Sequence, residues 1–266
     1  MRTLLTIIAL IVATIVLGLA VIVGRLLGVR DGAGSIYDRL PRLWARTLLF
    51  TAGTRVVLHD AERMRTGEPR IFVSNHVSWF DVLSLAASLP RFAFVAKAEL
   101  SRVPLFGAAA RAVNTVFIER ENRKSAFQSY DVASAKIREG LSVVVFPEGT
   151  RGTTYALRRF KKRPFVLAIA AGVPIVPTIV HGTIHVLPKG SLWARAGTVH
   201  VHFLEPVPTA GLTYDDRESL SRAVYDRMAQ AFREMYGVEP QPFEAEDAAA
   251  SRVQHPGAPP ARGAHA

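Results

Sequence analysis

The sequence predicts an α/β fold, a mixed and largely parallel sheet flanked by helices, with an N-terminal membrane-anchoring helix in front of it. Three observations predict it. Short β-branched runs alternate with helical patterns beyond residue 53, three of those runs end in polar clusters, and the chain begins with a long uncharged apolar stretch.

From Thr3 to Val23, 21 residues carry no charge and 17 of them are Ala, Ile, Leu or Val. At roughly 1.5 Å per residue, a helix of that length crosses a hydrocarbon core about 30 Å thick. A cleaved signal peptide is the competing reading, since Arg2 precedes the run and Gly18-Leu19-Ala20 resembles a cleavage site. Apolar residues nevertheless continue to Val23 with no polar region between. Residues 1–24 are therefore expected to be an uncleaved anchor, with a membrane-embedded hairpin as the alternative to a true span. Arg25, Arg30, Arg39, Arg42 and Arg46 follow it against only Asp31 and Asp38. That bias places everything after the anchor on the cytoplasmic face of the cell membrane. In residues 25–52, Ile36, Leu40, Leu43, Trp44, Thr47 and Leu48 recur at helical spacing. They form either a helix at the membrane surface or an amphipathic helix packed on the domain.

Residues 53–243 make up the α/β domain. Its apolar runs are Val56–Leu58, Ile71–Val73, Phe92–Val95, Val116–Ile118, Val143–Phe146, Ile175-Val176, Thr178–Val180 and Val199–Phe203. Asn122 opens and Gly140 closes one helix between them. Another opens at Thr213, with Asp216 three residues on as in a capping box, and stops at Gly237. From Glu244 onward, eight Ala, three Pro and two Gly accompany a single larger aliphatic residue, so 244–266 is expected to be a disordered tail.

Composition narrows the chemistry. With 49% apolar and 21% charged residues the bulk of the chain folds, and the absence of Cys removes disulfides, thiol nucleophiles and thiolate metal sites. The excess of 33 basic over 22 acidic residues, net +11, favours anionic partners. The run Arg158-Arg159-Phe160-Lys161-Lys162-Arg163 fits a solvated loop, anionic lipid or an acidic carrier protein; no motif that reads RNA or DNA accompanies it, so nucleic acid is not an expected partner. Walker, dinucleotide and GxSxG motifs are missing. His181 and His185 are four apart, and His200 and His202 share a strand face, so either pair has metal-ligand spacing. Neither has a clear carboxylate or Cys partner, and no metal is expected.

Three strand ends carry the polar clusters Asn75–Asp81, Glu119-Arg120 and Pro147–Arg151. Open α/β sheets assemble their sites at the carboxyl ends of strands. On one continuous helix His76 and Asp81 would point about 140° apart, so His76 is placed in the strand-to-helix turn and Asp81 in the first helical turn. Two readings then stay open. Asp81 caps a helix begun by Ser78, or it fixes the imidazole of His76 while the other ring nitrogen takes a proton from a substrate hydroxyl. Arg120 and Arg151 have the fork geometry that matches phosphate, and Glu148 either binds a substrate hydroxyl or orients Arg151.

These residues resemble a known family, the membrane acyltransferases that esterify glycerol-phosphate lipids. Asn75-His76 through Asp81 matches its Asn-His-x4-Asp motif, Phe117–Arg120 its second, Phe146–Arg151 its Phe-Pro-Glu-Gly-Thr-Arg motif and Val173–Pro177 its fourth. Lys97–Leu100 with Pro104 and Gly107 also fits. The resemblance implies transfer of a fatty acyl group from acyl-CoA or acyl carrier protein to the 2-hydroxyl of lysophosphatidic acid, giving phosphatidic acid, with no bound cofactor. It implies His76 as general base, Asp81 as its orienter, and Arg120, Glu148 and Arg151 as acceptor-binding residues, with Gly149 shaping their loop and Lys97 added to the phosphate site. Two departures stand out: Asn114 where the family usually has Gly, and Arg163-Pro164 after Phe160-Lys161-Lys162, which is expected to alter that loop. The alternatives within the class are another lyso-lipid or glycerol 3-phosphate as acceptor. The alternative outside it is a non-catalytic protein that binds anionic membranes.

Overall fold

The computed structural model describes residues 2–64, 67–119 and 123–241. Arg120, Asn122 and the tail 244–266 lie outside the described residues. Seven strands, β1 (Thr54–His59), β2 (Ile71–Ser74), β3 (Phe92–Lys97), β4 (Val116–Ile118), β5 (Ser142–Val145), β6 (Ile175–His181) and β7 (Gly197–Phe203), form one sheet in the order β1-β7-β6-β2-β5-β3-β4. Every neighbouring pair is parallel except β6 with β7. The expected mixed, largely parallel sheet is the one observed.

The strands read as continuous apolar runs because helices cover both faces. Ile71, Val73, Val143, Val145, Ile175 and Ile179 face a core shared with α5 (Arg123–Arg138), α6 (Arg163–Ala171) and α8 (Arg217–Tyr236). The alternate residues Phe72, Val144, Val176 and Val180 face α2 (Ile36–Ala52) and α3 (Trp79–Ser88). Residues 175–181 are one strand rather than two runs split by Pro177. The antiparallel ladder to β7 starts only at Thr178, just past the proline.

Helix ends follow the sequence signals. Thr213 and Asp216 form a capping box, although the first turn, Tyr214–Asp216, is 3-10, and α8 closes on Gly237 at φ 62°. Asn114 adopts the left-handed conformation, φ 69°. Arg163-Pro164 does not distort a loop: it opens α6, where a proline in the first turn costs no helical hydrogen bond.

The N-terminal helix α1 (Arg2–Leu26) lies along the globular body and is tied to it at both ends. Near its start Thr3 Oγ1 donates to the carbonyl of Ala194 (3.3 Å); midway, Trp44 Nε1 donates to Thr14 Oγ1 (3.0 Å); near its end Arg25 Nε donates to the carbonyl of Ala112 (2.9 Å). A Cβ at Gly24 would come within 2.4 Å of Ile36 Cδ1, so α1 and the start of α2 are in close contact there. The outward face, including Leu4, Ile8, Ile11, Ile15 and Leu19, remains exposed. One face of α2 packs on the domain, with Ala45, Leu48, Leu49 and Ala52 buried in the core, while Leu43 and Phe50 stay exposed. Its arginines serve α3: Arg46 Nε donates to the carbonyl of Ala87 (3.2 Å) and Arg42 to that of Leu89 (3.4 Å), satisfying carbonyls at the end of α3.

Candidate active site

Because β2, β5, β3 and β4 are adjacent and parallel, their carboxyl ends lie on one edge of the sheet, and the segments after β2 and β5 meet there. Beyond β2, the buried amide of Asn75 clamps the turn to β6. Its Nδ2 donates to the carbonyl of Val180 (2.9 Å), and its Oδ1 accepts from the Val180 N–H (2.8 Å). Ser78 is in extended conformation and caps α3, its Oγ accepting from Phe80 N–H (3.2 Å). Asp81 is fully buried on the first turn of α3. Its Oδ2 accepts from Ser78 N–H (2.8 Å), Val77 N–H (2.6 Å) and His76 Nδ1 (3.0 Å), and its Oδ1 accepts from Thr183 Oγ1 (2.5 Å). The two readings of Asp81 are therefore one arrangement: the carboxylate that caps the helix also holds the imidazole. With two backbone N–H groups and the Thr183 hydroxyl donating to it, the Asp81 carboxylate is an acceptor, which assigns the proton of His76 to Nδ1 and leaves Nε2 with its lone pair.

The segment after β5 builds the other wall. The His76 ring stacks on Phe146 with centroids 4.0 Å apart, and Phe146 stacks in turn on Phe94 at 6.4 Å. The His76 backbone is held on both sides, its N–H donating to Glu148 Oε1 (2.9 Å) and its carbonyl accepting from Gly152 N–H (2.8 Å). Glu148 Oε2 accepts from Arg158 Nε (3.0 Å), and a second Arg158 nitrogen reaches the carbonyl of Thr150. Burial pushes the Glu148 carboxyl above its ordinary range, an effect that the His76 N–H and the Arg158 guanidinium only partly offset. Gly149, at φ 80°, makes the turn that lets Glu148 point inward. The ion pair of Glu148 is thus with Arg158, where the sequence suggested Arg151, and both carboxylate oxygens are engaged inside the protein.

Arg151 instead lies over the Trp79 ring, 5.1 Å from its centroid, at the rim of an apolar cavity of about 650 Å³. The cavity runs beneath α1, between Trp44, Leu83, Phe94 and Phe106. It therefore begins beside the Phe94–Phe146–His76 stack. Lys97, at the end of β3, is half-exposed and paired with Glu99 (2.7 Å). The rest of the basic run is divided, with Lys162 paired to Glu218 (2.9 Å). Glu119 follows β4 on the same edge, and Arg120 lies outside the described residues.

Two residues of this site were not found by sequence reasoning. Thr183 follows β6 as Asn75 follows β2, so the strand-end rule reaches it, but His181-Gly182-Thr183 has no spacing signature of its own. Gly182 sits at φ 98°, where a Cβ would stand 2.2 Å from the Thr198 carbonyl, and it delivers Thr183 to Asp81. Arg158 was hidden in a charge run whose pattern gives no hint of which member turns inward.

Comparison with known proteins relates the chain to acyltransferases. The family model described as Acyltransferase matches residues 55–181. The human 1-acyl-sn-glycerol-3-phosphate acyltransferase alpha is 34% identical over 199 residues, 74% of this chain and 70% of that protein. The human beta enzyme is 33% identical over 191 residues, 71% and 69% of the two chains. The crystal structure of the 1-acyl-sn-glycerophosphate (LPA) acyltransferase PlsC from Thermotoga maritima shares the fold at a TM-score of 0.64, with 24% identity, covering 91% of this chain and 100% of that one. The sequence relationship over most of both chains shows that this chain belongs to the acyltransferase family.

Proposed function

We propose that the protein transfers a fatty acyl group from a thioester, acyl-CoA or acyl carrier protein, to the 2-hydroxyl of lysophosphatidic acid, producing phosphatidic acid for phospholipid biosynthesis. The observation that carries this is the imidazole of His76, fixed through Nδ1 by a buried carboxylate and linked through the Phe146 ring to Phe94, which lines an apolar cavity. Nε2 removes the proton of the acceptor hydroxyl as its oxygen attacks the thioester carbonyl. Asp81 stabilises the positive charge that develops on the ring. The tetrahedral intermediate collapses, the C–S bond breaks, and the imidazolium returns its proton to the departing thiolate. Atoms and charge balance without a further nucleophile or a cofactor.

Arg151 at the cavity rim and Lys97 at the end of β3 supply cations that receive the acceptor's phosphate, and the family resemblance adds Arg120 to them. The apolar cavity takes an acyl chain. Glu148 and Gly149 act by holding the loop: the first anchors the His76 backbone, the second turns the chain. The outward face of α1 enters the membrane. Because α1 is bonded to the body at Thr3 and Arg25, we read it as embedded in the plane of one leaflet, on the cytoplasmic side, rather than crossing.

An acceptor panel tests the reading. Purified protein in detergent micelles is given a labelled acyl-CoA or acyl carrier protein with lysophosphatidic acid, glycerol 3-phosphate, lyso-ornithine lipid or monoacylglycerol. Fastest turnover with lysophosphatidic acid is expected. Equal or faster turnover of acceptors without phosphate refutes the phosphate role of Arg151, and no turnover with any acceptor refutes the enzyme reading.

A further inference from the structure

Strand pairing at the far edge of the sheet gathers three histidines that the acyl-transfer site does not use. His59 ends β1 and stands directly across from His202 of β7 in the parallel register, with His200 two residues before it on the same face. The alternate residues Val199, Val201 and Phe203 point into the core, so the histidines occupy the opposite, half-exposed face. His59 Nε2 and His200 Nδ1 are 3.0 Å apart, the rings of His59 and His202 stack at 4.1 Å, and one nitrogen from each of the three lies within 4.8 Å of the others. The Tyr236 hydroxyl at the end of α8 lies 2.6 Å from His202 Nε2.

We infer that His59, His200 and His202 form a binding site for a borderline divalent transition-metal ion of the zinc class. Two imidazole nitrogens on a tetrahedral Zn²⁺ stand about 3.3 Å apart, given Zn–N bonds of about 2.0–2.1 Å. The His59–His200 separation is already close to that. The cation replaces the proton that the two nitrogens share. His202 completes the set by rotating its ring out of the stack, leaving the fourth position to water. Imidazole ligands without thiolate or carboxylate suit Zn²⁺, Ni²⁺ or Cu²⁺ and disfavour Mg²⁺ and Ca²⁺. Sequence spacing gave only the His200–His202 half of this site; the partner strand supplies His59, which lies 141 residues from His200. Such an ion would clip the edge strand β1 to β7.

The test uses the full chain in detergent micelles with the metal alone. Zn²⁺ titration is expected to saturate at one ion per chain and raise the melting temperature, and Co²⁺ is expected to give visible absorption of a four-coordinate centre. His200→Ala is expected to weaken Zn²⁺ at least about tenfold and cancel the thermal shift, whereas His185→Ala leaves both intact. The chain has no Cys to compete. If His200→Ala does not fold, X-ray absorption of the zinc-loaded native protein decides, with three imidazoles expected around the ion. Unsaturable uptake, undiminished binding in folded His200→Ala, or a zinc spectrum with fewer than two imidazoles overturns the inference.

Discussion

Replacing Asp81 by Asn separates the two jobs that its carboxylate performs. Asparagine keeps the volume. Its carbonyl oxygen, placed where Oδ2 stands, still accepts from His76 Nδ1, Val77 N–H and Ser78 N–H, while its amide faces Thr183, whose hydroxyl turns to accept instead. Cap and fold are retained, and only the negative charge is lost. A carboxylate whose charge centre is about 4 Å from an imidazolium contributes about 4 kcal/mol at an effective dielectric constant near 20. That corresponds to roughly a 10³-fold fall in turnover, because the interaction exists only once the ring has taken the proton. The assay is single-turnover acyl transfer to lysophosphatidic acid, paired with thermal unfolding. Turnover within about tenfold of the native protein, in a variant melting within a few degrees of it, refutes the role of the Asp81 charge in stabilising the imidazolium.

Further outcomes follow from the same contacts. Thr183→Val removes the donor on Asp81 Oδ1 and is expected to cost about 1.5–3 kcal/mol of stability and to slow turnover, with Thr183→Ser restoring both. Gly182→Ala forces a Cβ to 2.2 Å from the Thr198 carbonyl at positive φ, so melting temperature and turnover are expected to fall together. Because the folded Glu148 carboxyl titrates above its unfolded value near 4.5, the native state holds the extra proton in the interval between the two values. Glu148 therefore lowers stability as pH rises through that interval, and Glu148→Gln is expected to flatten this part of a thermal-melt pH series.

Local signals made the strands legible in the sequence, because every strand buried on both faces is a short β-branched run, and the ends of α3 and α8 are marked by capping residues. The candidate site was legible where its members are close in sequence, as with His76, Ser78 and Asp81. Contacts across the sheet were not. Thr183 meets Asp81 across 102 residues, and Arg158 rather than Arg151 meets Glu148, a choice made by the path of the loop. Hydropathy alone described α1 as long enough to cross a membrane, but its bonds to Ala194 and Ala112 are tertiary and carry no local trace.

His76→Ala, measured in single turnover with saturating lysophosphatidic acid and labelled acyl donor, asks most directly whether this imidazole takes the acceptor's proton. Turnover is predicted to drop by at least about 10²-fold, with acceptor binding and membrane association preserved. A folded variant that still acylates lysophosphatidic acid at the native rate would contradict the account.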